Sequence, residues 1–262
     1  LYIYTGAQNV FLTTLSRFNK VDCTGSTSIV NCSSASTPGI VYFNSLILAS
    51  GGTYTTIQAS MVGDASGGTT STISGNGSTT LNTIFIAAGL TTTLTSALGI
   101  STYTQITNTT LNTAGFALTA TSTVTYTGGT LTLNGSNLSC TTFTLNGPTF
   151  VHNSGTITCS TAFTLTSGSF TLGTLGNLSA IPTFNHTAGT ATFLKSTAFA
   201  VTGTYTFSSG TLDVSGVTLS VGIFNSSSDL VRVLTFGTGF IDLTHTTTDT
   251  IVEDLELLRV IP

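Results

Sequence analysis

Three histidines, nine carboxylates and four cysteines are the groups on which chemistry could rest in this 262-residue chain. Enzymes that cleave polysaccharides on β-helical scaffolds need clustered carboxylates, or a carboxylate beside Arg or Lys, to move protons. Asp213, Asp229, Asp242 and Asp249 are the only acids near the repeated part of the sequence. They are expected to be solvated or to cap turns. His152 and His186 fall at the same position of a repeated phrase and so share a column. A metal between them is conceivable, but isolated, partly buried imidazoles that each hold a hydrogen bond are the expected arrangement. No calcium-type Gly/Asp repeat and no nucleophile constellation is present. The expectation is a protein that is not an enzyme, with no cofactor, no metal and no catalytic residue.

The cysteines form two pairs by spacing, Cys23 with Cys32 and Cys140 with Cys159. In the second pair the separation is about one coil of the repeat described below. Stacked coils lie about 4.8 Å apart, inside the Cα window that a disulfide tolerates. Cys140 to Cys159 is thus a candidate rung-to-rung bridge and Cys23 to Cys32 a small loop closure, which would place the chain in an oxidising, extracytoplasmic setting. The alternative is free buried thiols, because Cys159 sits on an inward column and cysteine packs well in a core. Neither spacing resembles a zinc site.

These groups are carried by an internal repeat between Ser122 and Gly216: STVTYTGGTLTL, TFVHNSGTITC, AFTLTSGSFTL, TFNHTAGTATF and TYTFSSGTLDV. Aligned on Gly129, Gly155, Gly168, Gly189 and Gly210, both flanks alternate apolar with polar residues. Period-two alternation on either side of a glycine reads as strand, corner, strand. The glycine intervals of 26, 13, 21 and 21 residues imply a coil of about 21, with two faces of one coil sometimes sharing the same phrase. A repeat of this kind specifies a solenoid. The expected fold is all-β, a right-handed parallel β-helix (β-solenoid) with coils of about 20 residues and a distinct N-terminal cap or docking region.

Composition agrees. The chain holds 60 threonines and 28 glycines, 40% of it is hydrophobic, and no charged residue falls between Ala65 and Leu194. Apolar content at this level argues against disorder, and Thr, Val, Ile, Phe and Tyr fit a pleated surface. Stacked coils align identical positions into ladders, where like charges would repel, so the missing charge suits the architecture. Five scattered basic residues, Arg17, Lys20, Lys195, Arg232 and Arg259, cannot form a track for phosphates, and nucleic acid is not an expected partner. No apolar run is long enough for a membrane span. The start at Leu1 rather than methionine suggests removal of a leader or a piece cut from something longer, and either fits export. Eight Asn-x-Ser/Thr sites stand at Asn31, Asn76, Asn108, Asn134, Asn137, Asn177, Asn185 and Asn225, candidates for N-glycosylation in an exported protein.

Along the chain, residues 1–50 read as cap or docking strands and 51–80 as loops rich in Gly, Ser and Thr. Residues 81–248 read as the solenoid, and 249–262 as a strand that either covers the last rung or pairs with another subunit. An open rung recruits a further strand unless it is covered.

The phrases FVHNSGTITC (Phe150 to Cys159), FNHTAGTATF (Phe184 to Phe193) and VRVLTFGTGFIDL (Val231 to Leu243) resemble the Thr/Gly/Asn-rich β-solenoids of bacterial adhesins and of phage or viral fibres. The resemblance implies a structural or attachment role at a cell or virion surface and carries no site residues. The leading expectation is a non-enzymatic subunit that self-assembles head to tail into a filament, sheath or fibre, by open rungs or strand donation. An attachment module for a receptor or glycan is the alternative. A lesser one is ice binding. Thr130/Thr132, Thr156/Thr158, Ser169/Thr171, Thr190/Thr192 and Thr211/Asp213 would stack outward in an array resembling the flat face of solenoid ice-binding proteins.

Overall fold

The structure, a computed structural model, describes residues 2–4, 16–25, 33–34, 37–38, 40–47, 53–54, 60–63, 70–75, 80–85, 91–105, 110–179, 181–194, 199–244, 251–253 and 258–261. They form strands, corners and turns, with no helix among them. The fold is a parallel β-solenoid. Thr91 lies between Thr70 and Thr110 in parallel register, offsets of 21 and 19 residues, and Thr110 continues to Thr130. The one antiparallel pairing among the described strands is the short Ser33–Ser34 with Thr37–Pro38.

The chain divides into two compact units, Leu1–Ser139 and Cys140–Pro262. In the first, Ser16–Gly25, Ile40–Ile47, Thr70–Ser74, Thr91–Leu94, Thr110–Asn112 and Thr130–Thr132 form one parallel sheet. Segment 1–50 thereby supplies strands to the same sheet as the later coils. Within 51–80, Thr53–Tyr54 pairs with Thr80–Phe85, and Ser60–Gly63 with Ile40–Ile47. Pairing of Ser45 with Thr72 spans 27 residues, so these early coils carry insertions. Thr80–Phe85, Leu98–Gln105, Leu118–Ala120 and Thr123–Tyr126 build the other ladders. Inward residues follow the alternation: Leu94, Leu98, Ile100, Leu111, Leu118, Val124 and Leu131 are buried.

The second unit shows how alternation and glycine corners together make coils. All but the first three residues of the unbroken 43-residue extended run Asn137–Ser179 lie in it. Drawn straight the run would measure roughly 140 Å at about 3.3 Å per residue. Instead the rings of Phe143 and Phe163 stack with centroids 5.0 Å apart, so the run winds around the core. Beyond it each turn has three short strands, such as 199–201, 204–206 and 210–213, paired to 219–221, 223–225 and 232–235. Ile251–Glu253 and Leu258–Ile261 continue that pattern as a further parallel rung, in register with Phe224 and Arg232.

An aromatic column holds this unit together. Phe143, Phe163, Phe184, Tyr205 and Phe224 stack in sequence with centroid separations of 5.0, 4.9, 4.7 and 5.7 Å. All five are buried. Burying one such ring is worth about 1.5–3 kcal/mol, and each ring pair adds about 0.5–1.5 kcal/mol.

Candidate functional site

The groups considered above for chemistry are distributed by the coils into separate structural tasks. His186 is completely buried, in register with Leu165 on one side and Phe207 on the other. Its Nε2 lies 3.1 Å from the carbonyl oxygen of Gly189, and its Nδ1 lies 3.2 Å from the Tyr205 hydroxyl. A carbonyl only accepts, so Nε2 carries the proton and Nδ1 accepts from the Tyr205 O–H. The neutral ring is then fully satisfied. Burial pushes its pKa down to about 4, only partly offset by the bond to Gly189.

His152 does not share this column. It is buried beside Phe150, with Nε2 3.1 Å from the carbonyl oxygen of Gly155 and 3.2 Å from that of Asn177. The expectation that two imidazoles stack is corrected by register: the phrase around Gly155 runs along a different face from those around Gly168, Gly189 and Gly210. Phe150 accordingly packs on Phe170 and Phe143, while Phe163, Phe184 and Tyr205 form the other column. What the phrases share is a corner latch. A ring at one position bonds the carbonyl of the glycine three residues on, in Tyr126 to Gly129, His152 to Gly155 and His186 to Gly189. All five repeat glycines, Gly129, Gly155, Gly168, Gly189 and Gly210, have positive φ.

Because the folded His186 pKa lies below the ordinary 6.5, the unfolded chain takes up a proton first as pH falls. Stability from this residue is undiminished above about pH 6.5 and drops towards about pH 4, by about 3 kcal/mol in total. Denaturant midpoints measured at intervals from pH 7.5 to 4 should decline across that window. His186→Phe, which matches the neighbouring Phe207, should flatten the decline while losing the latch. An unchanged slope in that variant would remove His186 as the cause.

The acids do not converge. Asp213 accepts from the backbone N–H of Ser215 at a corner, and Asp242 lies on a different strand, 3.5 Å from the Ser220 hydroxyl. Asp249 lies outside the described residues. Among the described residues no group of three His, Cys, Asp or Glu side chains is placed to hold a metal ion. No described helix is long and apolar enough to cross a membrane.

Cys140 and Cys159 meet across adjacent rungs with their Sγ atoms 3.7 Å apart, both buried. They stand as two thiols in contact, on the neighbouring rungs that their spacing implied. Their contact and burial push the Cys140 thiol pKa up. Cys23 lies on Ser16–Gly25, but the pair with Cys32 falls outside the described residues.

Threonine ladders cover the outside. In the first unit Thr70, Thr91, Thr110 and Thr130 align, and beside them Thr72, Thr93, Asn112 and Thr132. In the second, Ser169, Thr190 and Thr211 align, with Thr171, Thr192 and Asp213. Thr156 and Thr158, on the phrase around Gly155, do not belong to this ladder. The glycosylation candidates differ in exposure. Asn134 and Asn137 are exposed, whereas Asn177, Asn185 and Asn225 are half-buried. Asn185 donates to Thr164 and Asn225 caps Ser227. Asn31, Asn76 and Asn108 lie outside the described residues.

Sequence reasoning missed Arg232. Counted above among scattered basic residues, it is completely buried, level with Gly210 and Leu258. The signal was local: Arg232 and Leu234 stand two apart on one strand, and Leu234 is buried too. The period of two carried the guanidinium inward.

These features define a parallel β-solenoid with a hydroxyl-rich, sparsely charged exterior among the described residues. Searches against protein-family models, curated proteins and solved structures find no match to the chain.

Proposed function

We propose that this chain is a non-enzymatic structural subunit of an extracellular or surface assembly, a filament, sheath or fibre, extended by pairing of one rung with another chain. The observation that carries the reading is the edge of the second unit. Phe240–Leu243, Ile251–Glu253 and Leu258–Ile261 each pair along one side only among the described residues. A strand edge of this kind presents a row of backbone donors and acceptors that readily takes up another strand. The exterior supports the same reading, because hydroxyl ladders carrying little charge let coils repeat with little repulsion.

The test is sedimentation across a concentration series together with negative-stain microscopy of the native protein. Oligomers that grow with concentration are expected. Successive N–H groups of a strand point to alternate edges. Of Arg259→Pro and Val260→Pro, one therefore removes a donor from the free edge and should shorten the assemblies while leaving the fold intact. The other disturbs pairing with Arg232–Thr235. A monodisperse monomer at every concentration would overturn the reading.

The in-register Thr-x-Thr rows support a second reading, binding to ice through a flat hydroxyl face. Thermal hysteresis of the purified protein distinguishes it, and Thr91→Lys with Thr93→Lys should abolish such activity.

A further inference from the structure

The geometry points to a covalent staple: Cys140 and Cys159 close to an intrachain, rung-to-rung disulfide when the chain folds in the presence of an oxidised small-molecule disulfide. Three observations meet here. The two residues are 19 apart, the local length of one turn, and so occupy the same inward position on neighbouring rungs. Their Sγ atoms are already in contact at 3.7 Å. A disulfide at about 2.05 Å asks them to approach by about 1.6 Å, and the spacing of stacked strands keeps the Cα atoms within the tolerated range. Both are buried, and no third metal-ligating side chain joins them among the described residues, so a metal does not explain the pair.

Thiol–disulfide exchange balances the step. One cysteine, as thiolate, attacks the small disulfide and displaces one small thiol, leaving a mixed disulfide. The second cysteine then attacks the protein sulfur and displaces the other small thiol. The protein pair is oxidised by two electrons, the small disulfide is reduced, and the two thiol protons leave on the two released thiols. Burial of both sulfurs, with the raised pKa of Cys140, disfavours the thiolate once the rungs are closed. The bond therefore forms as the turns wind and resists reduction afterwards. It ties the first residue of the second unit to the coil that follows, which fixes one rung over the next before the long aromatic column is complete.

The full chain, unfolded and reduced, is refolded in a mixture of oxidised and reduced glutathione, then alkylated under denaturing conditions and mapped by mass spectrometry. The expected result is a peptide pair linking Cys140 to Cys159 within one chain. Reduction should raise the unfolding equilibrium constant about a hundredfold, as for other loops of this length. Cys140→Ser and Cys159→Ser should each abolish the cross-link and the response to reductant, whereas Cys23→Ser with Cys32→Ser should leave both intact. Recovery of alkylated Cys140 and Cys159, or their capture by Cys23, by Cys32 or by another chain, would overturn the staple. Because the cross-link is read within one chain, the result is independent of whether the protein assembles.

Discussion

Gly210→Ala is expected to destabilise the protein by roughly 3–5 kcal/mol, the sum of left-handed backbone strain and a backbone clash. Gly210 has φ +96, and a Cβ there would stand 2.8 Å from Gly189 N and closer still to the Gly189 carbonyl oxygen. That oxygen already accepts from Thr211 N at 2.8 Å and meets His186 Nε2 at 3.1 Å. A methyl group would push it away from both donors, leaving buried groups unsatisfied as well as strained. Gly135→Ala separates the two effects. Its φ is +79 but nothing lies within 4 Å of the added carbon. That variant should lose only the conformational part, about 1–2 kcal/mol. Equal losses at Gly135 and Gly210, from denaturant titration, would show that stacking of the corners contributes nothing.

Phe184→Ala should produce a loss of similar size, about 3–5 kcal/mol. Its ring lies between Phe163 at 4.9 Å and Tyr205 at 4.7 Å, with an interplanar angle of 6° to Tyr205, and it meets Phe193 edge-on at 6.2 Å. Truncation opens a cavity in the middle of the column and frees Tyr205, whose hydroxyl donates to His186. Phe184→Leu should recover part of the loss because it refills volume without the stacked geometry. Coils of a solenoid contact only their neighbours, so the damage should spread as lost cooperativity between the turns on either side. Hydrogen exchange would register it as faster opening at 163–165 and 205–207. Uniform protection across the unit after Phe184→Ala would contradict a column that couples the coils.

The fold class was legible because it rests on short-range regularities. Alternation of Thr with Leu, Phe or Ile decides which side of a strand is dry, and glycine at a corner meets a positive φ that side chains resist. Gly189 and Gly210 could be singled out on that basis, and the spacing of Cys140 and Cys159 placed them one turn apart.

Which face each phrase occupies was not legible. FVHNSGTITC and FNHTAGTATF read alike, yet His152 and His186 lie in different columns, since the thirteen-residue interval between Gly155 and Gly168 is less than a turn. Arg232 counted only as one of five scattered basic residues until strand period and register placed it inside, level with Gly210 and Leu258. The physical reason is the same in each case. A phrase of ten residues encodes its own alternation and its own corner, and these are local energies. Register is the sum of every coil length before it, settled only when backbone hydrogen bonds and stacked rings about 20 residues apart close together. Strand, corner and dry side belong to the sequence by itself, whereas the partners of His186, of Cys140 and of Arg232 were decided by the winding of the chain.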